Sequence, residues 1–111
     1  MDKEIWDWIP GYEDLYVIST HGRVSNLRIM LKTRRDKYGY ERISLTSQDE
    51  EGTKQLKTYL VHRLVAETFV PNPNGLECVL HNDGNRLNNH SDNLSWGRKN
   101  KKRGSQYDKR R

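Results

Sequence analysis

Val79-Leu80-His81-Asn82-Asp83-Gly84-Asn85-Arg86-Leu87-Asn88-Asn89, closed by Asn93-Leu94-Ser95-Trp96, is the stretch that decides how this chain is read. A short apolar run carries one histidine, His81, to the mouth of a loop dense in Asn, Asp and Gly. A second apolar run, Leu94 to Trp96, brings the chain back. The pattern predicts a hairpin whose loop is built from turn-forming side chains. Asp83-Gly84 is a turn pair. Asn85, Asn88, Asn89 and Asn93 suit such a loop, because Asn caps backbone groups and tolerates left-handed backbone. These asparagines are expected to hold His81 rather than to touch a substrate. Asp83 is open to three roles: orienting His81, orienting the loop, or approaching a metal ion.

A neutral imidazole at the end of a strand can take a proton from water near neutral pH, which makes His81 the leading candidate for a general base. In isolation, one loop histidine is a weak signal. Cleavage of a phosphodiester would also need positive charge on the developing phosphorane, which a divalent cation supplies.

Upstream of the hairpin, Leu60 to Phe69 follows helical spacing, with apolar residues at 60, 61, 64, 65 and 69. Pro71 and Pro73 end that helix. His62 lies beside its apolar positions and reads as a buried, hydrogen-bonded histidine rather than a ligand. Earlier still, Tyr16-Val17-Ile18, Arg23-Val24-Ser25, Arg42-Ile43-Ser44-Leu45 and Leu56 to Tyr59 have strand character. With a hairpin loop around Gly52, they predict one small antiparallel sheet within residues 16 to 59. Met30 to Lys37 reads as a basic connection. Trp6, Trp8 and Tyr12 are expected to pack in the core. His21 and His90 read as loop residues. Residues 98–103 are expected to form a short basic helix and 104–111 a mobile tail.

With 111 residues, 32% apolar and 32% charged, the chain is one domain or two very small ones with a modest core. It has no apolar run of bilayer length and no secretory pattern at Met1 to Trp6. Cys78 is the one cysteine, which excludes an intrachain disulfide and a zinc site of paired Cys motifs. A cytoplasmic, non-secreted protein is expected. The net charge is +5, yet Gly97 to Arg111 holds eight basic residues and one acid, a net +7, so residues 1–96 carry −2. A concentrated basic segment points to phosphates as partners.

Val61-His62-Arg63-Leu64-Val65-Ala66-Glu67-Thr68-Phe69-Val70-Pro71-Asn72-Pro73, with His81-Asn82-Asp83-Gly84-Asn85, Asn88-Asn89 and Asn93-Leu94-Ser95-Trp96, resembles the HNH endonucleases of phages and mobile introns. Trp6 to Ser19, with Gly22-Arg23-Val24-Ser25, resembles the modular motif that precedes the nuclease domain in those proteins. The resemblance implies an α+β fold: a small N-terminal antiparallel sheet, one helix, then a ββα-metal (His-Me finger) hairpin. The implied organisation is an aromatic β module over 1–58 that contacts DNA, an HNH nuclease domain over 59–103, and a basic tail over 104–111. His81 would be the general base and Asn93 the brace of the loop. One divalent cation, Mg²⁺ or Mn²⁺ and not zinc, would be held by ligands among Asn100, Asp83 and His81. Arg98, Lys99, Lys101, Lys102 and Arg103, with Arg34 and Arg35, would grip double-stranded DNA. No membrane is implied. A monomer is expected, with a dimer as the alternative, in a host or infected bacterial cell.

Two departures accompany the resemblance. Leu80 stands where family members often place an Asp or Asn that ligates the metal. Asn100 matches the later ligand position only if two residues are missing; otherwise Lys102 falls there. Three readings follow: a metal-dependent endonuclease that nicks or cuts DNA, a catalytically decayed HNH-fold module that only binds it, and a protein-binding adaptor that uses the N-terminal aromatic segment.

Overall fold

The strand-forming runs of the first half settle into two three-stranded antiparallel sheets rather than the single sheet expected. The computed structural model describes residues 3–98. In the first sheet β1 (Trp6–Trp8) pairs with β2 (Val17–Ser19), and β2 with β3 (Val24–Ser25). In the second, β4 (Arg34–Arg35) pairs with β5 (Glu41–Gln48), and β5 pairs from Arg42 to Gln48 with β6 (Lys54–Leu60). The division has a local cause. Beyond β3 the chain turns back on itself, so that Ser25 bridges to Met30 and the Leu31 N–H donates to the Val24 carbonyl. That reversal stops β3 from running on into β4. The basic connection expected over residues 30–37 therefore contains an edge strand, with Arg34 opposite Arg42 and Arg35 opposite Glu41.

Helix α1 (Val61–Phe69) follows β6 directly. Its buried face is Val61, His62, Leu64, Val65 and Ala66. The Thr68 hydroxyl donates to the Leu64 carbonyl, the Val70 N–H to Ala66, and Pro71 prevents a further turn. The helix is the hub of the molecule, packing against β2, β5, β6, β7 and β8. Around it Ile9, Ile18, Val24, Ile43, Leu45, Val79 and Leu94 close into one core cluster. Each such side chain contributes about 1.5–3 kcal/mol when fully withdrawn from water. The Tyr12 and Tyr59 hydroxyls meet at 2.7 Å, and the Thr46 N–H donates to the Tyr16 hydroxyl at 3.1 Å, so the two sheets are also tied by polar contacts. The core is continuous across residue 58, which itself lies within β6.

The N-terminal aromatics divide differently from the expectation. Tyr12 is buried, Trp6 is half-buried and Trp8 is exposed. The reason is that both tryptophans sit on a three-residue edge strand, while Ile9, just beyond it, is the residue that enters the core. Trp6 is covered by the Arg23 guanidinium, 5.6 Å from its ring.

The quoted hairpin forms as β7 (Cys78–His81) against β8 (Leu94–Gly97), with His81 opposite Leu94 and Leu80 opposite Ser95. A single 3-10 turn, Ser91–Asn93, precedes β8 and was not evident from the sequence. The Trp96 indole N–H donates to the Val70 carbonyl at 3.0 Å, and Arg63 on α1 lies over the Trp96 ring while donating to the Glu77 carbonyl. These contacts dock the hairpin on the helix. Arg98 is exposed and in no element; the rest of the expected basic helix and the tail lie outside the described residues. Among the described residues no helix is long and apolar enough to cross a membrane.

Candidate active site

His81 ends β7 half-buried, with its ring against α1 and its loop outside. Its Nε2 lies 2.8 Å from the Asn89 Oδ1, and the Asn89 Nδ2 donates to the Glu41 Oε1 at 3.3 Å. The chemistry of the chain of contacts fixes its direction. An ionised Glu41 can only accept, so Asn89 must turn its NH₂ toward Glu41 and its oxygen toward His81. That oxygen can only accept, so His81 carries its proton on Nε2. The Nδ1 is then the bare nitrogen, with a lone pair for a proton. Glu41 opens β5, forty residues before His81 in the sequence.

The ring of His81 is held on its other side by packing. His62 from α1 lies 4.7 Å away centroid to centroid, and Tyr40 stacks on His62 at 5.2 Å. Arg86, from the loop, lies over Tyr40 and donates to the Tyr38 carbonyl. His62 is buried as expected, while its Nδ1 has no hydrogen-bond partner within the described residues. Ring stacking between Tyr40 and His81 has taken precedence over a polar partner, at a cost of about 1–3 kcal/mol. Burial, with His81 and Arg63 close by, pushes its imidazole down to about 3, so it is neutral at pH 7.

The loop itself is a net of asparagines. Asn93 donates to the Asp83 Oδ1 and to the Asn88 carbonyl, and accepts from the Asp83 N–H at 3.1 Å. Its own carbonyl accepts from the Asn82 N–H at 2.7 Å. Asp83 also accepts from the Asn88 Nδ2 and the Asn85 N–H. The Asn88 amide, the Asn85 N–H and the Asn93 amide hold its carboxyl below the usual carboxylate range. Gly22, in the turn between β2 and β3, lies so close that a Cβ there would sit 3.1 Å from the Asn89 Cβ. The Ser91 N–H donates to the Thr20 carbonyl. Neighbouring loops from the two halves thus clamp Asn89.

The donor set does not suit a hard divalent cation, which prefers oxygen ligands. Leu80 offers no donor, is 42% exposed, and lays its side chain on Gly97. Both Asp83 oxygens are engaged inside the loop. Asn100 lies outside the described residues, as do Lys99, Lys101, Lys102 and Arg103. No group of three His, Cys, Asp or Glu able to hold a metal occurs among the described residues. What the described site can supply is one oriented base. Arg34 and Arg35 are exposed on β4. Of the residues that shape the site, Glu41 and Tyr40 gave no signal in the sequence, and Gly22, read there within the N-terminal motif, gave none of its contact with Asn89, since each acts from a distant segment.

Comparison with known proteins agrees with this architecture. Residues 4–46 match the NUMOD4 motif. Residues 4–46 thus carry a NUMOD4-like segment, and the chain is similar in sequence and fold to HNH homing endonucleases. It is 42% identical over 93 residues to the DNA endonuclease I-HmuI of Bacillus phage SP01, covering 82% of this chain and 51% of that protein. The solved structure described as DNA binding and cleavage by the HNH homing endonuclease I-HmuI matches with a TM-score of 0.70 at 41% identity, over 85% of this chain and 52% of that one. An uncharacterized HNH endonuclease of Acanthamoeba polyphaga mimivirus is 42% identical over 85 residues, covering 75% of this chain and 24% of that protein. The chain therefore spans about half the length of I-HmuI and about a quarter of the viral relative.

Proposed function

We propose that this chain carries the general base of a DNA endonuclease that hydrolyses phosphodiester bonds in duplex DNA. The observation that carries the reading is the Glu41–Asn89–His81 chain, which leaves the His81 Nδ1 bare beside an exposed loop. In this role Nδ1 takes the proton of the attacking water, Asn89 keeps Nε2–H in place, and Asn93 holds the loop that carries the base. Arg34 and Arg35, with the cations that follow Trp96, contact phosphates; such contacts position a duplex without reading its sequence. The Mg²⁺ or Mn²⁺ ion that the resemblance implies finds no adequate set of ligands in the described residues, and no step is assigned to it. Nicking of a supercoiled plasmid by wild-type protein and by His81→Ala, each with Mg²⁺, Mn²⁺ or a chelator, tests the reading. It predicts nicking by the wild type and a loss of at least about 100-fold in His81→Ala. Equal rates in the two proteins contradict it.

Leu80 and the fully engaged Asp83 favour a second reading, a DNA-binding module whose cleavage has been lost. That reading predicts salt-sensitive duplex binding with no nicking under any of those conditions.

A further inference from the structure

Basic charge in the first half of the chain is segregated. Between Asp14 and Asp36 there is no carboxylate, while Arg23, Arg28, Lys32, Arg34 and Arg35 all fall there. Arg23 is held by Glu4. The other four form no ion pair with a described residue. The same stretch contains the most conspicuous apolar exposure near the first sheet: Leu27 is 55% exposed, Ile29 62% and Met30 49%, with Arg28 among them.

These side chains project from a stiff turn. The Asn26 Oδ1 accepts from the N–H groups of Arg28 and Ile29, both at 3.0 Å. The Ser25 hydroxyl accepts from the Leu27 N–H and donates to the Ile29 carbonyl. Leu27 is held at φ 82°, a left-handed conformation that costs a residue with a Cβ about 1–2 kcal/mol. A turn that keeps three large apolar side chains in water, on a strained backbone fixed by side-chain hydrogen bonds, is built to present them.

We propose that the Ser25–Met30 turn is a duplex-DNA wedge: Arg28 meets a phosphate at the edge of the minor groove while Leu27, Ile29 and Met30 lean into a base step and kink it. Unpaired cations beside exposed aliphatic side chains fit this partner. Cations draw in the phosphates, and aliphatic wedges unstack a step to bend the duplex. The placement fits as well. The other end of β3 leads to Gly22, which abuts Asn89, so the wedge stands on the order of 10 Å of strand from the base-bearing loop. The kink would fall within a few base pairs of the phosphate that faces His81. This inference rests on the DNA reading above.

The test uses the full chain at low salt with a duplex of about 30 base pairs made of T–A steps, which kink readily. Each step carries 2-aminopurine and the ends carry a fluorescence-transfer pair. Wild-type protein is expected to raise both signals. The triple variant Leu27→Asn, Ile29→Ser, Met30→Ser keeps a residue tolerant of left-handed backbone at 27; it should still bind, within about tenfold, and raise neither. Ile29→Ser alone, at the most exposed position, should lower both signals by at least about half, and provides the reading if the triple variant unfolds. Arg28→Gln should reduce the salt slope of binding by about one. Undiminished bending in the apolar variants overturns the wedge. Wild-type binding without bending also overturns it and leaves the DNA reading standing, whereas no binding by the wild type removes both. A change confined to self-association in sedimentation would overturn it in favour of a protein contact.

Discussion

Asn89 does for His81 what no backbone group in the loop does: it fixes which ring nitrogen is free. Its oxygen faces Nε2 only because its NH₂ faces Glu41. Asn89→Leu should leave duplex affinity within about threefold and lower plasmid nicking about 10–100-fold, the range seen when a supporting residue of a site is removed. Gel shift and nicking measured on one preparation separate the two effects. At Leu80 the expected direction is opposite. Leu80→Asp would put an oxygen donor beside the base, and should raise the nicking rate and lower the Mn²⁺ concentration that half-saturates it. An unchanged Mn²⁺ dependence would show that this position does not face the ion. Much of this site was legible in the sequence. His81 stood out because an apolar run delivers it to a loop, and the asparagines because their side chains favour turns. Glu41 was not legible. An acidic residue opening a strand is ordinary, and it acquires its role only when β5 brings it beside a loop 48 residues further on.

At the scale of elements, α1 and the turn between β2 and β3 carry the site. The α1 residue that bears on it most is His62. Its folded-state value of about 3 lies below its ordinary 6.5, so the unfolded chain takes up the proton first. Stability is therefore full above about pH 6.5 and falls as the pH drops from there toward 3, by at most about 1.4 kcal/mol per pH unit. Between pH 6.5 and 5 the carboxylates contribute little, and denaturant midpoints compared with those of His62→Phe separate His62 from the other three histidines. His62→Phe should flatten the slope in that window by up to one proton. An unchanged slope would mean that the native state protonates His62 readily. Gly22 offers a second test. It has φ 87°, and a Cβ there would press on Asn89 at 3.1 Å. Gly22→Ala should cost about 1–2 kcal/mol in chemical denaturation and should also depress nicking, since the displaced side chain is the one that holds His81. Loss of stability with full activity per folded molecule would contradict that link. The helix could be read from its spacing and the hairpin from its flanking turns. The separation into two sheets could not, because it depends on a turn at 26–30 made by side-chain hydrogen bonds rather than by glycine or proline.

Across the whole molecule, the segment that matches the NUMOD4 motif and the β7–β8 hairpin share one core and one site. Ile18, Val24, Ile43 and Leu45 from the first pack with Val61, Leu64, Val79 and Leu94 from beyond it. Glu41, Tyr40 and Gly22 all reach the neighbourhood of His81 from within residues 4–46. The segment that precedes the β7–β8 hairpin is thus part of how His81 is oriented. The total charge of +5 conceals two basic regions, one after Trp96 and one between Asp14 and Asp36, separated by the more acidic remainder of the chain. The most direct test of the central claim is the long-range ¹⁵N–¹H correlation spectrum of His81 in the full chain at neutral pH, recorded for wild type and for Glu41→Ala. The account predicts that the neutral form of His81 carries its proton on Nε2 in the wild type, and that it becomes a mixture of tautomers once Glu41 no longer directs the Asn89 amide. A wild-type His81 with its proton on Nδ1, or a spectrum indifferent to Glu41→Ala, would contradict it.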